Sequence, residues 1–151
     1  MVQESAMITL FIETAVAPVF LIAGVAGLLN VFTGRLARIM DRLEKMDAYL
    51  QSRRDIDSNY KEDERSLKRR SFLVKRLQNT NMAILFGTIT GLMVALVIFT
   101  IFASALFAFQ TGTLVSVFFI LAMLFLVLSL LLFLREIYFT ALSVRIRYFE
   151  I

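Results

Sequence analysis

The side chains able to do chemistry are few in kind. The chain contains no His, no Cys and no Trp. A Cys/His zinc site, a haem axial His, a Ser-His-Asp triad and a Cys nucleophile are all excluded on that ground. Carboxylates and guanidiniums remain. The carboxylates near the apolar segments are Glu13, Asp41 and Glu136. No nucleophile–base constellation accompanies them, so the sequence predicts no enzyme, no cofactor and no metal centre. Asp55-Ile-Asp57-Ser-Asn59 copies the first half of a calcium loop. Its sixth position is Tyr60 instead of Gly, and its twelfth is Ser66 instead of Glu. Without the sharp turn and the bidentate carboxylate, a solvated turn is the expectation.

A second pattern concerns transport or packing. Glu13, Ala17, Phe20, Gly24, Gly27, Asn30 and Gly34 are spaced 4, 3, 4, 3, 3, 4. That spacing places them on one helix face, small or polar apart from Phe20. Arg38, Asp41 and Lys45 extend the face beyond the apolar run. Small residues let helices approach closely, and Gly87, Gly91 and Ala95 offer a matching surface. The alternative is a face lining a water-filled path, with Glu13, Asn30 and Arg38 as polar rings. Glu13 at the outer mouth would favour cations, while Arg35 and Arg38 at the inner mouth would favour anions or form a barrier.

The elements that carry these residues follow from composition. Of 151 residues, 59% are hydrophobic, above the roughly 45–50% of soluble domains. No residue from Met82 to Leu134 is charged, far beyond the roughly 18 apolar residues that mark a span. The expected fold is an all-α integral membrane protein of one domain, 1–151, with spans at about 8–31, 82–109 and 113–134. Helices are required because hydrocarbon offers no partner for unpaired backbone groups. The first span lacks a basic leader, since Met1 to Met7 holds no Lys or Arg; it is read as retained. Pro18 falls within it and is expected to bend it.

Orientation follows from the basic residues. Residues 35–81 carry 13 of the 16 Lys and Arg, and the tail 135–151 carries the other 3. Both belong in the cytoplasm by the positive-inside rule, with the N-terminus and the Gln110-Thr111-Gly112 turn outside.

Between the first two spans, Leu29, Phe32, Leu36, Ile39, Leu43, Met46 and Leu50 repeat at alternating 3 and 4. That is a heptad seam of the coiled-coil kind, predicting one helix from the first span to about Gln51. A return limb with Leu67, Val74 and Leu77 completes a hairpin over 35–81. Packing of the limbs on each other and packing between subunits both fit the seam. Lys68, Arg69, Arg70, Lys75 and Arg76 form a basic cluster. Contact with anionic headgroups contributes about 1 kcal/mol per basic residue, although topology alone also accounts for the cluster. Arg135 and Glu136 are expected to pair with the first limb, for example with Asp41 or Arg42.

The stretch Ala15 to Arg42, AVAPVFLIAGVAGLLNVFTGRLARIMDR, resembles the signature of a bacterial family of small three-span membrane proteins with a domain of unknown function. The resemblance lies in Ala17-Pro18, in Leu28 to Asn30 and in Thr33 to Arg42. It implies three spans and a bacterial inner membrane, carries no activity, and draws attention to Asn30, Arg35, Arg38, Asp41 and Arg42. Two functions are consistent with these readings. One is a homo-oligomeric ion channel lined by the first span. The other is a non-conducting structural or regulatory protein whose hairpin binds a partner or anionic lipid. No nucleic-acid partner is expected.

Overall fold

A computed structural model describes residues 2–56, 63–107 and 112–149. Three helices follow in order: α1 (Val2–Ile56), α2 (Glu64–Phe107) and α3 (Gly112–Phe149). The described residues contain no strand. All three helices are long and apolar enough to cross a membrane, and the chain is a multi-pass membrane protein. Gln110-Thr111 and Asp57 to Asn59 lie outside the described residues. At 1.5 Å per residue α1 is about 80 Å long, against the ~30 Å of a hydrocarbon core. It continues past the Gln51 end expected from the seam, and it runs through Pro18 without ending.

The helix α2 occupies the centre, and α1 and α3 each pack along it. Its sequence shows why. Thr80, Ala83, Gly87, Thr90, Val94, Val97 and Ile101 alternate at spacings of 3 and 4, and all are buried. These side chains are small or β-branched, so neighbouring backbones come close. In lipid there is no hydrophobic force between helices, and close van der Waals packing takes its place. The hydroxyls are absorbed by the backbone: Thr90 donates to the Phe86 carbonyl at 2.9 Å and Thr100 to that of Leu96 at 2.7 Å. Thr80 is the exception, buried with no hydrogen-bond partner among the described residues.

From α1 the central helix receives Val25, Phe32, Ile39 and Leu50, all buried and related by steps of seven or eleven. From α3 it receives Ala122, Ser129 and Glu136, again seven apart and buried. Among the described residues of α3, other large apolar side chains are turned outward, as at Ile120, Leu124 and Leu131.

All three helices meet at Gly87. A Cβ there would lie 2.9 Å from Leu29 Cδ2 and 3.3 Å from Ser129 Oγ. Ser129 also donates to the Ala83 carbonyl at 2.7 Å, across the α2–α3 interface. Phe86 and Phe125 stack beside it, with ring centroids 5.9 Å apart.

Beyond the apolar stretch, α1 and α2 continue together as a polar hairpin. Leu50 and Leu73 are buried within it, and Arg70 donates to Asp47 at 2.9 Å. The return limb differs from expectation. Leu67 is exposed and Leu73 carries the contact, because the buried stripe is the one that continues through Thr80 and Gly87.

Candidate functional site

The three helices become polar at the same level, and side chains lock them there. On α1, Arg35 follows Phe32 by one turn; on α2, Arg76 precedes Met82; on α3, Glu136 follows Leu134. The Phe32 and Phe133 rings lie 4.1 Å apart between centroids, joining α1 to α3. Arg76 Nε donates to Glu136 Oε1 at 2.6 Å, joining α2 to α3. The Glu136 side chain is 3% exposed and that of Arg76 17%. A charge taken this far from water needs a partner at short range, and each supplies it to the other.

Beside this pair is a cleft of about 190 Å³, lined by Arg35, Arg38, Ile39, Arg42, Arg76 and Glu136. The helical spacing of 35, 38, 39 and 42 puts these α1 residues on one face. Two of the arginines are oriented by protein. Arg35 lies 5.1 Å from the centroid of the Phe133 ring, and Arg38 Nε donates to the Gly34 carbonyl at 3.1 Å. Arg42 makes no hydrogen bond or ion pair among the described residues.

The residues singled out from the sequence divide into three groups. On α1, Glu13, Ala17, Phe20, Gly24, Gly27, Asn30, Gly34 and Arg38 are exposed, and Arg35 is half-buried. A Cβ added at Gly24, Gly27 or Gly34 would meet nothing within 4 Å. The expected match between this face and Gly87, Gly91 and Ala95 does not form within the chain. Gly87 takes Leu29, a Cβ at Gly91 would lie 3.9 Å from Val25 Cγ1, and Ala95 is exposed. The glycines of α2 therefore receive the large apolar side chains of the α1 seam, and the small-polar face of α1 is left outside.

The basic cluster is largely taken up by partners. Lys68 pairs with Glu64 at 2.8 Å, Arg70 with Asp47 and Arg76 with Glu136, while Arg69 and Lys75 are exposed. Lys68 to Arg70 also sit roughly 18 Å or more beyond Met82 along the helix.

Sequence reasoning found Glu136 but directed it toward the first limb, and it missed Ser129, Thr80 and Phe133 as contacts. The spacing of Ala122, Ser129 and Glu136 at sevens was the available signal, hidden because two of the three are polar.

Residues 15–146 match the model of a family described as proteins of unknown function, DUF2721. The chain belongs to that family. The DUF2721 match covers α1 from Ala15, the hairpin, α2 and nearly all of α3, so the Arg76–Glu136 pair and the arginine cleft lie inside it. No curated protein and no solved structure matches the chain.

Proposed function

We propose that the chain assembles with copies of itself through the small-polar face of α1, and that in this assembly α1 lines a path for ions. The membrane is the inner membrane of a bacterium, with the N-terminus outside and the hairpin and C-terminal tail in the cytoplasm. The observation that carries this reading is the open space at Gly24, Gly27 and Gly34 on a face that also exposes Glu13 and Asn30. A carboxylate and an amide turned toward acyl chains are costly. Protein or water covering the face removes that cost. Because α1 and α3 both pack on α2, one chain encloses no path, and symmetric copies would have to build it.

Particle mass in lipid nanodiscs tests the assembly, with multiples of the 17.2 kDa chain expected. A monomer overturns it. Ion flux into liposomes containing the reconstituted protein tests conduction. Oligomers with no flux under any gradient overturn the channel and leave a non-conducting assembly.

A second reading is favoured by the hairpin. Its seam is used within the chain, at Leu50 and Leu73, and Arg70 and Asp47 close the limbs. A stiff projecting hairpin suits a structural or regulatory protein that presents a surface to a partner or to anionic lipid. Crosslinking that recovers the chain alone argues against the partner.

A further inference from the structure

The arginine cleft has more positive charge than its own carboxylate can balance. Its lining carries Arg35, Arg38, Arg42 and Arg76 against Glu136 alone, and Glu136 is held by Arg76 at 2.6 Å. Arg35, Arg38 and Arg42 have no ion-pair partner among the described residues. Bringing like charges together on one helix face is unfavourable, and three guanidiniums beside a shared cleft gain most from an anion placed among them.

The geometry selects the kind of anion. The guanidinium is a planar fork of donors suited to phosphate oxygens. Arg38 uses Nε on the Gly34 carbonyl, which steadies its stem and leaves the two terminal nitrogens for a ligand. Arg35 is steadied by the face of Phe133, itself stacked on Phe32. Arg76, tied to Glu136, forms a fixed wall. The cleft, about 190 Å³, holds a phosphate group with a few waters at about 30 Å³ per water.

The cleft lies where α1 and α3 leave their apolar stretches. Phe32 and Phe133 mark the last apolar turn of α1 and α3, and Arg35 and Glu136 follow within one turn. Phosphates of a bilayer lie at that level, and basic pockets between spanning helices suit anionic headgroups.

We propose that the cleft formed by Arg35, Arg38, Arg42 and Arg76 binds the phosphate of an anionic phosphate ester, supplied either by a lipid headgroup or by a soluble phosphate. The site is distinct from the Lys68–Arg70 cluster and belongs to a single chain, so it holds whether or not α1 assembles with copies.

The experiment uses the full chain in neutral detergent. Phosphatidylglycerol, phosphatidylcholine and inorganic phosphate are titrated separately, and binding is read by native mass spectrometry and by the shift in thermal midpoint. Binding of phosphatidylglycerol over phosphatidylcholine, without an effect of inorganic phosphate, assigns the site to a lipid. Binding of inorganic phosphate as well assigns it to phosphate from either source. The pair Arg38→Gln and Arg42→Gln is expected to weaken binding about tenfold or more, the scale of one or two charge-assisted hydrogen bonds. Lys68→Gln with Arg69→Gln is expected to leave it unchanged. Should the first pair lose helical circular dichroism, Arg42→Gln alone carries the test, since Arg42 has no hydrogen-bond or ion-pair partner among the described residues. The proposal is overturned if neither phosphatidylglycerol nor phosphate binds above phosphatidylcholine. It is equally overturned if both pairs weaken binding alike, the mark of diffuse attraction. Particle mass, read in the same spectra, reports separately on assembly.

Discussion

Arg76 and Glu136 are 60 residues apart in sequence and 2.6 Å apart in space, with the carboxylate sealed between α2 and α3. The pair closes the bundle at the level where all three helices turn polar. It also fixes one wall of the arginine cleft.

Breaking this pair from one side is expected to be expensive. Glu136→Ala leaves the Arg76 guanidinium desolvated beside an empty space, a loss of about 3–5 kcal/mol for a buried pair. Replacing both residues with Met restores most of that loss, because neither member of the pair is then left buried and charged without the other. Reversible chemical unfolding in detergent micelles distinguishes the two. A double variant as unstable as Glu136→Ala would show that the residues act independently.

Gly87 is the tightest point of the bundle. Gly87→Val forces a side chain into space held by Leu29 and Ser129, and overpacking of this kind costs about 1–3 kcal/mol. Gly91→Ala, whose new Cβ meets Val25 at an ordinary 3.9 Å, is expected to be neutral. Ser129→Ala removes the 2.7 Å bond to Ala83 and is expected to cost about 1 kcal/mol, the usual scale for such bonds between spanning helices. The thermal midpoint should be highest for Gly91→Ala, lower for Ser129→Ala and lowest for Gly87→Val.

The hairpin is polar on its outer face, and burial of apolar surface within it outweighs exposed ion pairs. Leu50→Ala is expected to lose about 2–5 kcal/mol locally. Asp47→Ala, whose pair with Arg70 is about half exposed on both sides, should lose less than about 1 kcal/mol, and less again in high salt. Limited proteolysis of the hairpin measures both. Equal cleavage rates for the two variants would contradict this ranking.

The small-polar face of α1 separates folding from assembly. Gly24→Leu and Gly27→Leu add side chains into open space, so the helical content and thermal midpoint of the single chain should hold. The same changes should lower particle mass in nanodiscs if copies meet there. Unchanged mass in an oligomeric protein would move the interface elsewhere.

The three spans were legible because apolar length alone decides them: a run without charge from Met82 to Leu134 has no other home than a bilayer. The seam of α1 from Leu29 to Leu50 was legible as well, since large apolar side chains at alternating 3 and 4 stand out against polar neighbours. Its counterpart on α2 was not. Thr80, Ala83, Gly87 and Thr90 are small or carry hydroxyls, and hydropathy does not mark a surface whose value lies in close approach. The pairing of Gly87 with Leu29, instead of with the small face of α1, depended on which side of α1 turned toward α2. Arg76 and Glu136 were legible as charges near a span, but not as partners. Whether a charged residue meets lipid, water or an opposite charge depends on which helix stands beside it, and only the packed bundle decides that.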